Sequence, residues 1–190
     1  SIQKNVKMIT NYPLVEGSVS VPEFDIAKRS YQLCFAGGMT SEWNHVVVAK
    51  CITSIDGLNY AFAGPDFSPY LEELLSNENW NKNLTYLGFI SKNEVDSLYN
   101  DSICGMALLG RVSQVGDEGT LGNNKLFEFM KFGLPVICSD LRLWKEIIET
   151  YQCGIAVNPE DEQEVLTAIK TIITNPALAR EMSDNGKRAF

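Results

Sequence analysis

GNNKLFEFMKFGLPVICSD, residues 122–140, compresses a loop, a short amphipathic helix, a glycine stop and a buried strand into one stretch. Leu126, Phe127 and Met130 can turn together toward a core, Gly133 suits the left-handed residue that ends a helix, and Pro135 suits the strand entry that follows. LPVICS then reads as a strand buried on both faces, the kind found in parallel sheets. The polar lead-in Gly122-Asn123-Asn124 leaves backbone N–H groups at the positive end of the helix, a good place for phosphate oxygens. Glu128 is the one acid of the helix, presented beside whatever sits at its start. The stretch reads as built to hold a nucleotide.

Outward from it, strand and helix signals alternate. Upstream lie the strands YQLCFAG (31–37), LNYAFAG (58–64), LTYLGF (84–89) and ICGMALLG (103–110), with helical segments at 44–55, 68–77 and 91–99 between them. Ser68 can cap the second helix with Pro69 in its first turn, and Ser91 with Glu94 forms an S-x-x-E capping box for the third. Downstream, 141–151 is helical, GIAVNP (154–159) is a sixth strand, and 161–175 and 176–190 are two more helices, the acids Asp161, Glu162 and Glu164 favouring the start of the first. Such units imply an α/β fold, a parallel sheet of about six strands with helices on both faces. Right-handed crossovers favour a doubly wound, Rossmann-like sheet that holds ligands at the carboxyl ends of its strands, where the strand order reverses. In the common order that point falls between YQLCFAG and ICGMALLG. The loops that follow them, 37–43 and 110–122, both carry glycine, and the second feeds the Glu128 helix. Residues 1–22 read as an inter-domain linker or edge segment ahead of a nucleotide-binding domain at 23–190, and the last helix lacks a stop signal, so the chain reads as part of a larger protein.

Composition narrows the function. The 190 residues carry 16 basic and 24 acidic side chains, and a net charge of −8 argues against a nucleic-acid or anionic-membrane surface. No apolar run approaches the ~20 residues that span a bilayer, and no signal pattern opens the chain. Five cysteines, an odd number without a CxxC pair, read as buried free thiols in a reducing, cytoplasmic compartment. His45 is the single histidine, which excludes multi-histidine metal sites; near a helix start it reads as a surface or capping residue. The first strand ends GGMTSE rather than G-x-G-x-x-G, which counts against a dinucleotide-dependent dehydrogenase. Asp140 reads as a cap for the next helix or a sugar contact, and Trp43 as a loop anchor or a lid.

With VKMITNYP, YQLCFAGG, LTYLGFIS, KLFEFMKFGLPVICSD and GIAVNPEDEQEVLTAI in this order, the chain resembles the C-terminal, donor-binding half of a GT-B fold glycosyltransferase, most like the retaining family 4 enzymes. The resemblance implies transfer of a sugar from a nucleotide diphosphate, a UDP- or GDP-sugar, to a hydroxyl of a carbohydrate or lipid-linked acceptor, with no cofactor and no metal. The work would belong to polysaccharide or glycoconjugate synthesis in the cytoplasm, at the inner face of the plasma membrane, with an N-terminal acceptor-binding domain outside this chain. Residue by residue, it implies that Glu128 accepts the ribose diol and that the amides of Asn124, Lys125 and Leu126 cradle the diphosphate. Phe89 and Ile90 meet the base, and Gly37 and Gly38 allow close approach of the phosphates. Members commonly carry a second acid where this chain has Thr120, and an Arg and a Lys where it has Gly38 and Trp43. Asp117 or Glu118 could replace the acid if the loop is longer, and Lys125 or Arg111 could replace the cations. The catalytic residue stays unassigned, with Lys125 and Thr120 as candidates. Two other readings stay open: a non-catalytic nucleotide-binding module of the same fold, and a GT-B-like nucleotide-sugar epimerase.

Overall fold

A computed structural model describes residues 23–66, 69–113 and 116–190. Residues 1–22 and Ser68, read above as a linker and a helix cap, lie outside that range. Six strands, β1 (Tyr31–Ala36), β2 (Tyr60–Ala63), β3 (Leu84–Tyr86), β4 (Ser102–Ala107), β5 (Val136–Ser139) and β6 (Gly154–Val157), alternate with α1 (His45–Thr53), α2 (Tyr70–Ser76), α3 (Lys92–Asn100), α4 (Lys125–Lys131), α5 (Arg142–Tyr151) and α6 (Glu162–Ile173). A seventh helix, α7 (Pro176–Ala189), closes the chain. The strands form one sheet in the order β3-β2-β1-β4-β5-β6, and every pairing is parallel. Strand order reverses between β1 and β4, where Leu33 pairs with Cys104 on one side and with Tyr60 on the other. The doubly wound sheet is therefore the observed fold.

The two faces follow from the period-2 alternation of strand side chains. Leu33 and Phe35 of β1, with Tyr60 and Phe62 of β2, join a core against α1 and α6, whereas Cys34, Ala36, Ala61 and Ala63 face a second core under α3, α4 and α5. Helix α1 is rich in valine, a modest helix former, and is held by packing against α6 rather than by propensity. The Ser91–Glu94 capping box forms, with the Ser91 N–H donating to Glu94 Oε2 at 2.8 Å. All five cysteines are free and buried, and burial pushes the Cys34 thiol up to about 12.

The decisive stretch folds with one difference. Gly133 (φ 62°) takes the left-handed conformation, with its N–H donating to Met130 O and that of Leu134 to Phe129 O at 2.9 Å each. That bond pair is a Schellman stop. Helix α4, however, is not amphipathic in place: Leu126, Phe127, Phe129 and Met130 are all buried, because α7 covers the side turned away from the sheet. Only Lys125, Glu128 and Lys131 keep partial exposure.

Candidate nucleotide site

At the carboxyl ends of β1 and β2, beside the point where strand order reverses, a cavity of about 190 Å³ opens between three loops and two helices. Gly37 follows β1, Gly64 and Pro65 follow β2, Phe89 and Ile90 follow β3, and α3 and α4 supply Lys92, Val95, Tyr99, Lys125 and Glu128. Five residues expected from sequence thus share one cavity: Gly37, Phe89, Ile90, Lys125 and Glu128.

The floor is built from backbone in close approach. Gly64 (φ 143°) lies so near Gly37 that a Cβ there would meet the Gly37 carbonyl oxygen at 1.8 Å. The Gly37 N–H donates to Ala63 O and the Gly64 N–H to Gly88 O, both at 2.9 Å, tying three strand ends together. Phe89 leaves this lattice as a residue 82% exposed, an apolar plate at the mouth. An exposed aromatic beside a cavity is suited to stacking on a planar ring.

Glu128 is held by two donors on one oxygen. The Tyr99 hydroxyl donates to Oε2 at 3.1 Å, and Lys125 Nζ lies 3.3 Å from the same atom. Both side chains of the ion pair are about four-fifths buried (18% and 21% exposed). Tyr99 is fully buried, and burial first, with the Glu128 carboxylate second, pushes its phenol well above the usual range, so it stays a donor. Lys125 crosses above Gly37, where a Cβ would meet its Cε at 2.9 Å.

The remaining expected residues sit beside the cavity rather than in its wall. Gly38 adjoins Gly37, and Leu126 is buried in the core. The Asn124 carbonyl accepts the Glu128 N–H at 2.8 Å while its own Oδ1 is buried without a partner. In the turn before α4, two amides already have acceptors: Lys125 N–H donates to Asn123 Oδ1 and Gly122 N–H to Thr120 Oγ1, both at 3.0 Å. The Thr120 carbonyl takes the Trp144 indole N–H at 2.8 Å.

Arg111 and the loop acids are committed elsewhere. Arg111 Nε donates to Asp117 at 3.0 Å and its Nη2 to Asp140 at 2.8 Å, while Glu118 pairs with Arg142. Asp140 therefore binds an arginine and does not cap α5. The first α5 amides, of Arg142 and Leu143, donate instead to the Asp117 and Glu118 carbonyls at 2.9 Å. Trp43 is a loop anchor, tilted on Phe35 with ring centroids 5.1 Å apart. His45 corrects the surface reading: it is 1% exposed, ringed by Phe35, Tyr60, Phe62 and Tyr70. Its Nδ1 lies 2.8 Å from the Tyr60 hydroxyl, and burial lowers its pKa to about 3.

Sequence reasoning missed Gly64, Pro65, Lys92, Val95 and Tyr99. Three of these fall on one face of α3 at i, i+3 and i+7, a spacing that could have marked them as a group.

A six-stranded parallel sheet with helices on both faces, and a cavity beside the reversal of strand order, defines a doubly wound domain of the Rossmann-like class. The chain belongs to the glycosyl transferases group 1 family, which matches residues 20–189. No curated protein matches it by sequence. Among solved structures it is similar to a variant of S. aureus TarM in complex with fondaparinux, alpha-GlcNAc-glycerol and UDP (TM-score 0.74, 13% identity, 98% of this chain and 36% of that one). It is also similar to Anabaena Alr3699/HepE in complex with UDP and glucose (0.69, 15%, 86% and 44%). The C-terminal domain of LpcC from Francisella tularensis, a glycosyl transferase group 1 family protein, matches at 0.62 and 20%, over 85% of this chain and 84% of that one. The chain spans less than half the length of the first two. Among the described residues no helix is long and apolar enough to cross a membrane.

Proposed function

We propose that this chain is the donor-binding, C-terminal half of a retaining, metal-independent glycosyltransferase of the family 4 kind. It holds a nucleotide-diphosphate sugar with the ribose diol on Glu128 and the base against Phe89 and Ile90. The diphosphate lies over Gly37 and Gly38, near the amides of Asn124, Lys125 and Leu126. An N-terminal partner domain supplies the acceptor, a carbohydrate or lipid-linked hydroxyl at the cytoplasmic face of the membrane, in polysaccharide or glycoconjugate synthesis. In the transfer, the bond from the anomeric carbon to the diphosphate oxygen breaks, the acceptor oxygen bonds to that carbon, and the acceptor proton passes to the departing nucleoside diphosphate.

The observation that carries this reading is the convergence of Gly37, Phe89, Ile90, Lys125 and Glu128, from three separate segments, on one cavity. A uridine nucleotide is favoured as ligand because Alr3699/HepE was solved with UDP-glucose. Calorimetric titration of the full-length protein with uridine, guanosine and adenosine diphosphate sugars tests it: one base should bind, and a transfer assay with that donor should release the nucleoside diphosphate. Binding of none of them, with tight binding of an unrelated ligand, refutes it.

A non-catalytic nucleotide-binding module is the second reading, favoured by the commitments of the nearby cations. Lys125 is paired with Glu128, and Arg111 with Asp117 and Asp140, so a leaving diphosphate would have to draw them away from carboxylates. Binding without transfer by the full-length protein would select it.

A further inference from the structure

We propose that Tyr99 is the positioning residue for the nucleotide ribose: its hydroxyl occupies one oxygen of Glu128 so that the other is held toward the sugar diol. The inference rests on the donor-site reading above and adds a residue and a specificity to it. A carboxylate facing a cis-diol works best when one oxygen is aimed and the other anchored, because a freely rotating side chain loses rotamer entropy on each binding event. Glu128 shows that division. The Tyr99 hydroxyl and the Lys125 ammonium both reach Oε2, at 3.1 and 3.3 Å, and Oε1 carries neither contact.

The two anchors differ in kind. Lys125 has a flexible stem and lies over Gly37, where the diphosphate would approach, so it can exchange partners when an anion arrives. Tyr99 cannot move. It is fully buried, its ring meets Phe129 edge-on at 5.3 Å and 77° and Phe132 at 5.4 Å and 61°, and its carbonyl accepts from Arg29 Nη1 at 3.4 Å. Both aromatic contacts lie in or next to the helix that carries Glu128, so phenol and carboxylate are fixed in one frame. Tyr99 is thus the permanent support of Glu128, and Lys125 the exchangeable one.

Titration of UDP against 2′-deoxy-UDP, or the guanosine pair if that base is preferred, reads this directly in the full-length protein. Wild type should prefer the ribonucleotide by roughly tenfold or more, as expected for hydrogen bonds to a charged acceptor. Tyr99→Phe should reduce that preference to about threefold or less, and adding it to Glu128→Gln should cost nothing further, because the two act through one carboxylate. A Tyr99→Phe protein that binds both nucleotides more weakly by the same factor, or keeps the wild-type ratio, overturns the inference and leaves the donor site standing. A wild type that binds no uridine, guanosine or adenosine diphosphate, with or without the 2′-hydroxyl, overturns the donor-site reading and this inference together. Should Tyr99→Phe not fold, a crystal structure of the wild type with UDP decides: ribose hydroxyls on Oε1 with Tyr99 still on Oε2 support the assignment, and ribose on Oε2 with the phenol displaced refutes it.

Discussion

Glu128 is singled out by sequence, and geometry places it in the cavity wall. A single acid in a helix that follows a glycine-bearing loop and precedes a buried strand stands out among apolar neighbours, so its position was legible without coordinates. Replacing it by glutamine keeps the shape and removes the charge; the expected loss in nucleotide affinity is roughly 10- to 100-fold, with little change in the denaturation midpoint, and calorimetry beside urea unfolding checks both. Tyr99 was not legible, because its link to Glu128 spans 29 positions and depends on how α3 and α4 cross. His45 shows the same limit. A polar residue at a helix start reads as exposed, yet four aromatic side chains contributed by other elements enclose it. Its burial has a pH signature. The folded-state pKa is lowered to about 3, so between pH 6.5 and 3 the unfolded chain binds a proton that the folded one refuses. The stability this group contributes is full above pH 6.5 and is lost as pH falls through that window, of order 2 kcal/mol by pH 5. Urea unfolding at pH 7, 6 and 5 should show that decline in the wild type, and His45→Gln should flatten it by this amount.

Elements record their own ends more faithfully than their neighbours. The Ser91–Glu94 box and the Gly133 stop are local devices, written within a few residues, and both formed as read. The all-round burial of α4 was hidden, since its outer cover, α7, begins some forty-five residues later and bears no pattern that names its partner. The inner contact is tighter still. A Cβ on Gly105 of β4 would fall 2.4 Å from the Phe129 ring, so the missing methyl sets how low α4 rides on the sheet. Gly105→Ala should therefore cost about 1–3 kcal/mol by overpacking and should weaken nucleotide binding by lifting Glu128. Phe129→Leu in the same chain should recover part of both losses, measured as a double-mutant cycle of unfolding and titration.

For the whole molecule, strand order was the most legible property, because right-handed crossovers leave few ways to thread alternating strands and helices. The cavity's position followed from that order. Its full wall did not, since Gly64 and Pro65 enter only through the stacking of three strand ends. The proposed division of labour predicts that residues 23–190 expressed alone bind nucleotide weakly, if at all, and transfer no sugar, and that the protein with both halves does transfer it. Release of nucleoside diphosphate from the two preparations, with the same donor and acceptor, distinguishes them.

One further outcome concerns observation by light. The Trp144 indole is sealed in the interior, yet its N–H grips the carbonyl of Thr120 in the loop leading to α4. The chain has only two other tryptophans, Trp43 and Trp80, and with both changed to phenylalanine the emission would come from one ring beneath that loop. A colour shift on adding nucleotide would follow the loop's rearrangement in real time with no dye attached, and a spectrum unchanged at saturation would mean that the loop stays still.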